Sequence, residues 1–226
     1  MNCIVVTGAN SGIGLECVSQ FLEENWQVIA ISKNSNNLKL ITHTNLEIYE
    51  CDVCDYTKLT NIIATVANKH ITINGLINNA GVAYYSELEK LQHMQIKKMI
   101  DINVQGFTNV LELILPIMHK NNNGTIINLS SLADRLPRPY SSVYAATKAY
   151  VKSLTDSLRL SNAKHNIRIM NLSPTNINTP LLQSIKKTKS GFIEVKEFVT
   201  IIKFMVNLPH SINVRDIVIA PTEYEG

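Results

Sequence analysis

Seven short runs of aliphatic and β-branched residues recur along the chain, with helical patterns between them. The runs are CIVVT (3–7), QVIAIS (27–32), LEIYEC (46–51), GLINN (75–79), TIINLS (125–130), IRIMNL (167–172) and DIVIA (216–220). Runs that stay apolar, instead of alternating, belong to strands buried on both faces, as in parallel sheets. Between them apolar residues fall at helical spacing, as at Leu15, Val18, Phe21 and Leu22. Val143, Tyr150, Val151, Leu154 and Leu158 do the same in a helix expected over 141–163. Strand–helix alternation sustained in this way predicts an α/β fold, a doubly wound parallel sheet of about seven strands with helices on both faces. The Asn-rich pieces NSNNL (34–38) and NNNG (121–124) fall where loops are expected, and Pro116 is expected to kink its helix. No internal linker interrupts the pattern, so residues 1–226 read as a single domain.

Composition narrows the classes of function. The 226 residues are 45% hydrophobic and 17% charged, and the net charge of +3 is spread without a long basic run. No nucleic-acid or membrane partner is therefore expected. No apolar stretch approaches the roughly 20 residues that span a bilayer, and the opening MNCIVV lacks the pattern of a secretory signal. Cys3, Cys17, Cys51 and Cys54 point to reduced thiols in a cytoplasmic protein. Cys51 and Cys54 have CxxC spacing, but no second pair or histidine cluster accompanies them. They read as two small side chains at a strand end, and no metal site is expected.

The first strand runs into VTGANSGIG (6–14), which holds Gly8, Gly12 and Gly14 where a helix should begin. The spacing is one residue away from the G-x-G-x-x-G dinucleotide fingerprint. It is either a phosphate cradle at a helix N-terminus or a tight strand-to-helix turn. Further on, Tyr144 and Lys148 stand at i and i+4, neighbours on one helix face. A phenol has an ordinary pKa near ~10, and a nearby cation lowers it, so together they make a plausible general acid and base.

TGANSGIG (7–14), NNAG (78–81), YAATK (144–148) and SPTNINTP (173–180) occur in the order and spacing that resemble the short-chain dehydrogenase/reductase family. The resemblance implies a Rossmann-type fold that binds NAD(H) or NADP(H) and transfers hydride between cofactor and an alcohol or carbonyl. It assigns Gly8, Gly12 and Gly14, with Asn10, Ser11 and Ile13 between them, to the pyrophosphate turn. Asp52 and Val53 would flank the adenine, and Asn79, Ala80 and Gly81 the ribose side. Pro174, Ile177 and Thr179 would lie on the nicotinamide side. Tyr144 becomes the proton donor and acceptor, Lys148 its cationic partner and a ligand of the ribose hydroxyls, and Ser131 the hydrogen-bond donor to the substrate oxygen. Asn103 matches an asparagine supporting a water relay to the lysine, and also reads as a helix-interior amide bonded to backbone.

The second strand ends in Ser32 and Lys33, where NAD-specific relatives resemble one another in an acidic residue. A lysine there attracts a 2′-phosphate, so NADP(H) is favoured over NAD(H), unless Lys33 is simply an exposed loop lysine. Ser11 stands where many NADP-type relatives are basic. Thr175 replaces a family glycine, which predicts a different path for the loop beside the nicotinamide. Residues 82–86, 132–142 and 176–196, the last with the lysine-rich piece KKTKSG (186–191), would form the substrate loops around a small carbonyl or alcohol. Arg135 and Arg138 either anchor an acidic group of the substrate or are solvated loop charges. The ending VRDIVIAPT (214–222) resembles relatives acting on small 3-hydroxy or 3-oxo acids. The resemblance also implies a homodimer or homotetramer, for which the helix at 141–163 offers either an interface or a sheet-facing surface. Two rivals are a cofactor-binding regulatory protein on the same fold and an epimerase or dehydratase of an extended type, for which 226 residues are few.

Overall fold

The computed structural model describes residues 2–69, 72–183 and 191–224. Its strands are β1 (Cys3–Thr7), β2 (Gln27–Ser32), β3 (Leu46–Glu50), β4 (Ile73–Asn78), β5 (Gly124–Leu129), β6 (Ile167–Pro174) and β7 (Asp216–Ile219). They form one parallel sheet in the order β3-β2-β1-β4-β5-β6-β7. The first two strands have the bounds the sequence predicts. The sixth runs two residues further because Ser173 and Pro174 still pair with Val218 and Ile219.

The helices are α1 (Gly12–Glu23), α2 (Tyr56–Asn68), α3 (His93–Ile100), α4 (Phe107–Asn121), α5 (Ser142–Asn162), α6 (Pro180–Gln183) and α7 (Val195–Asn207). Successive side chains of a strand point to opposite faces, and β1 shows the consequence. Cys3 and Val5 join a core with Leu59, Ile63, Val110, Ile114 and Val151 from α2, α4 and α5. Ile4 and Val6 join a second core with Val18, Phe21, Phe198 and Ile202 from α1 and α7. Burying each such side chain contributes about 1.5–3 kcal/mol relative to exposure, which is why the continuous apolar runs specify this sandwich.

Helix α4 continues through Pro116. The departure from α geometry lies earlier, in a π-helical turn at Asp101–Gly106 between α3 and α4. In NNNG, Asn122 takes the left-handed conformation that ends α4. Residues 186–190 of the lysine-rich piece lie outside the described residues. All four cysteines are free, and among the described residues no helix is long and apolar enough to cross a membrane.

The strand order opens a crevice at one end of the sheet. Strands β2 and β4 lie on opposite sides of β1, so the connections leaving β1 and β4 part at their C-terminal ends. In open α/β sheets the crevice opened at such a point is where ligands bind.

Candidate active site

The glycine turn sits at that crevice. Gly8 (φ +63°) and Gly12 (φ +51°) are left-handed, a conformation other residues adopt at a cost. A Cβ on Gly14 would stand 2.3 Å from the Gly8 carbonyl oxygen, so the turn is closed onto the helix it opens. Ser11 caps α1 with extended backbone and no side-chain bond to it. The first N–H groups of a helix have no partner within it, and with the positive end of the dipole they suit a phosphate. The residues present therefore fit a dinucleotide pyrophosphate. The Asn10 side-chain oxygen accepts from the backbone N–H groups of Asn37 (2.9 Å) and Leu38 (3.2 Å), pinning the loop after β2 to the turn.

Thr7, which sequence reasoning did not single out, joins β1 to β4. Its hydroxyl accepts from the N–H groups of Asn79 (3.0 Å) and Ala80 (3.1 Å) and donates to Asn78 (3.3 Å). The Asn79 amide donates to the carbonyls of Thr7 (3.0 Å) and Gly8 (3.3 Å). Its signal in the sequence was its polarity at the end of an otherwise apolar run.

At the ends of β2 and β3, Lys33 and Asp52 turn out to be partners, with Nζ 3.0 Å from the carboxylate. Burial pushes the Asp52 carboxyl up, but the Cys54 N–H and the Lys33 ammonium more than offset it and hold it below its usual range. Lys33 is largely exposed. Val53 is buried, and its carbonyl accepts from Asn109 at 3.0 Å.

Helix α5 presents Tyr144 and Lys148 on one face, both more than nine-tenths buried. The Lys148 ammonium donates to the Leu129 carbonyl (2.8 Å) and lies 5.9 Å from the centre of the Tyr144 ring. Burial pushes its pKa down to about 8, opposed by the charge of Asp134. Burial holds the Tyr144 phenol above its usual range, outweighing the interactions with Ser131 and Tyr85 that act to lower it. The Ser131 hydroxyl also accepts from the Ala133 N–H (3.2 Å), which fixes it at the end of β5. Its neighbour Ser130 donates to the Lys148 carbonyl instead.

Asn103 is held in the π-helical turn. Its oxygen accepts from the Val82 N–H (2.8 Å), and its amide donates to the Val82 carbonyl (2.8 Å) and the Thr147 hydroxyl (3.1 Å). It thus clamps the chain just after Gly81. A Cβ on Gly81 would stand 3.3 Å from the Asn103 oxygen and 3.8 Å from the Lys148 ammonium.

Across the crevice, Thr175 does not take up the left-handed conformation; Asn176 does (φ +51°), and asparagine tolerates it. The Thr175 N–H instead bonds the Ile219 carbonyl at 2.9 Å, extending the β6–β7 pairing. Ile177 bridges to Ile193. The Thr179 hydroxyl accepts from the Leu182 N–H (3.2 Å), and its methyl would stand 3.2 Å from a Cβ on Gly12.

Tyr144, Lys148 and Ser131 thus face Ile13, Pro174, Ile177 and Thr179 around one cleft. Asn79 and Gly81 also line it; Gly8, Gly12, Gly14, Ala80, Lys33, Asp52, Val53 and Asn103 do not. Neither arginine of the 132–142 loop lines it either. Arg135 bonds Asp216 (2.8 Å from each terminal nitrogen) and Asp134 (2.6 Å), and Arg138 bonds the Tyr224 hydroxyl (3.3 Å). Arg135 is a cross-link between β7 and the turn after β5, a reading the sequence did not offer.

This arrangement can pass a proton at the Tyr144 hydroxyl beside a bound dinucleotide. The family model described as short chain dehydrogenase matches residues 2–190. An oxidoreductase of Staphylococcus saprophyticus is 32% identical over 97% of this chain and 95% of its own length. One of Listeria monocytogenes is 28% identical over 97% and 96%. Among solved structures, a serine dehydrogenase complexed with NADP+ has a TM-score of 0.91 at 25% identity, covering 99% of this chain and 97% of that one. A 4-hydroxyisoleucine dehydrogenase complexed with NADH has 0.87 at 26%, with both chains fully covered. The chain belongs to the short-chain dehydrogenase/reductase family and is a nicotinamide-dependent oxidoreductase of alcohol and carbonyl groups.

Proposed function

We propose that the chain prefers NADP(H) and acts on a small carbonyl or alcohol, with Tyr144 as proton donor and acceptor. The observation carrying this reading is the buried cluster of Tyr144, Lys148 and Ser131 at the same cleft as Ile13 and Thr179 of the dinucleotide side. The nicotinamide, when bound, supplies or takes the hydride. Every other part falls to the protein. The glycine turn and the start of α1 hold the pyrophosphate. Ser131 donates to the substrate oxygen, and Tyr144 gives it a proton in reduction or takes one in oxidation. The Lys148 charge favours the Tyr144 phenolate.

The preference for NADP(H) rests on Lys33, exposed at the end of β2 and partnered by Asp52. A 2′-phosphate would recruit the same ammonium, whereas the ribose hydroxyls of NAD(H) gain little from it. The structural neighbours include one complex with NADP+ and one with NADH, so the fold accommodates both. Titration with NADPH and NADH, repeated on Lys33→Ala, tests the reading. Tighter NADPH binding that the substitution weakens roughly tenfold, with NADH unmoved, is expected for one charged hydrogen bond. Equal binding of both cofactors by the unaltered chain would overturn it.

Serine and 4-hydroxyisoleucine, named for two neighbours, are both small hydroxy compounds, which supports a substrate of that size. If the substrate is a 3-oxo or 3-hydroxy acid, its carboxylate is held by groups other than Arg135 and Arg138, which lie off the cleft. A purely regulatory role has less support, because it gives no reason for a buried lysine beside a buried tyrosine. We read the chain as one cytoplasmic domain with its substrate loop at 176–196. Its exposed apolar groove of Ile96, Ile100, Val104, Val143 and Ala146 supports a homodimer or homotetramer.

A further inference from the structure

We propose that Tyr85 is a positioning residue for proton transfer: its hydroxyl donates to the Tyr144 oxygen and favours the ionised form of that residue. This rests on the reading of Tyr144 as proton donor and acceptor.

The two rings lie 5.4 Å apart, tilted by 50°, and both line the cleft. Each hydroxyl is an electrostatic neighbour of the other across this contact, and the proposed bond joins them. The direction of that bond follows from their surroundings. Tyr144 has Lys148 beside its ring and Ser131 on its hydroxyl, whereas Tyr85 has Tyr144 as its electrostatic neighbour. Tyr85 is 41% exposed as a residue, yet desolvation of its hydroxyl inside the cleft and the charge of Tyr144 both push its pKa up, so Tyr85 keeps its proton when Tyr144 ionises. A tyrosine that keeps its proton beside a phenolate is a donor to it.

The groups facing Tyr144 come from three elements. Lys148 lies one turn along α5, Ser131 and Asp134 follow β5, and Tyr85 lies in the loop after β4. The Asp134 charge opposes ionisation; Ser131 and Tyr85 favour it. Ser131 already accepts a backbone N–H, so its single proton is what it has to donate. When a substrate oxygen arrives, Ser131 turns that proton to the substrate, and Tyr85 is left as the hydroxyl donor to Tyr144. The same loop is anchored just after Gly81 by the Asn103–Val82 clamp, which fixes where Tyr85 can stand.

The experiment compares the unaltered chain, Tyr85→Phe, Tyr144→Phe and Tyr56→Phe, each with NADP+ bound. Tyrosinate absorbance is titrated with pH, and the increment missing from Tyr144→Phe identifies Tyr144. The pH dependence of kcat/KM for oxidation of small secondary alcohols is followed alongside. Tyr85→Phe keeps the ring and removes the hydroxyl, so packing is preserved. We expect the Tyr144 increment and the rising limb of oxidation to move to higher pH in Tyr85→Phe. At neutral pH the loss is roughly tenfold, shrinking above the limb, as removal of one donor to a charged group implies. Tyr56→Phe, on α2 and away from the cleft, should leave both where they are. Unmoved curves in Tyr85→Phe would overturn the proposal and leave the role of Tyr144 intact. Full turnover by Tyr144→Phe would overturn the role of Tyr144, and this proposal with it.

Discussion

The chemistry proposed for Lys148 is set against its cost in stability. Its ammonium is buried with the Leu129 carbonyl as a hydrogen-bond partner, and burial lowers its pKa to about 8. An unfolded lysine keeps its proton to about 10.4. Between about 8 and that value the unfolded chain binds more protons, so this group's contribution to stability becomes more favourable as pH rises. Below about 8 both states are protonated and the burial penalty is constant. Lys148→Met removes the penalty and leaves the Leu129 carbonyl without its donor. At neutral pH it should stabilise the chain by about 1–2 kcal/mol while lowering turnover a hundredfold or more. Urea melts at neutral and alkaline pH check this: the gain should shrink as pH rises, and a variant less stable than the parent at neutral pH contradicts it.

The turn between β1 and α1 carries the largest steric demand. The Gly14 Cβ position, 2.3 Å from the Gly8 carbonyl oxygen, cannot be occupied unless the turn opens. Gly14→Ala should therefore lose most dinucleotide affinity and melt at lower temperature, by a cost of about 1–3 kcal/mol. Cofactor titration and thermal melting measure both, and full affinity would contradict the account. This element was legible in the sequence because its glycines follow an apolar run and open a helical pattern. The sheet was legible for the same reason, since β1 and β5 are buried along their whole length and are dominated by aliphatic residues. The extension of β6 was not legible, because it depends on pairing with β7, some 40 residues away. Asn103 was found by motif, but its clamp on Val82 comes from a π-helical turn that periodicity does not announce. Tyr85 and the Arg135 bonds were missed because contacts between residues far apart in the chain leave no local pattern. The Lys33–Asp52 pair joins two residues noticed separately.

At the scale of the molecule, Arg135 ties the turn after β5 to β7 through Asp134 and Asp216. Burial pushes the Asp134 carboxyl up, but bonds from Arg135, Ser173 and Asn171 more than offset it. Arg135 first of all, against burial, holds Asp216 below its usual range too. Both aspartates then stabilise the fold above about pH 4, their unfolded value, and that contribution is lost as pH falls through the lower folded values. Arg135→Met strands a fully buried Asp134 carboxylate and should cost about 3–5 kcal/mol at neutral pH. Melts across acid pH should also show a smaller acid-induced loss than in the parent, and an unchanged melting temperature would contradict the role. The same edge of the sheet leads from β6 into the loop that faces Tyr144, so the cross-link supports the site without entering it. Function itself is most directly tested by Tyr144→Phe, measured for NADPH binding and for NADPH consumption with small ketones, aldehydes and 3-oxo acids. The account predicts cofactor binding within a few-fold of the parent and turnover lowered at least a hundredfold; turnover equal to the parent's would contradict it.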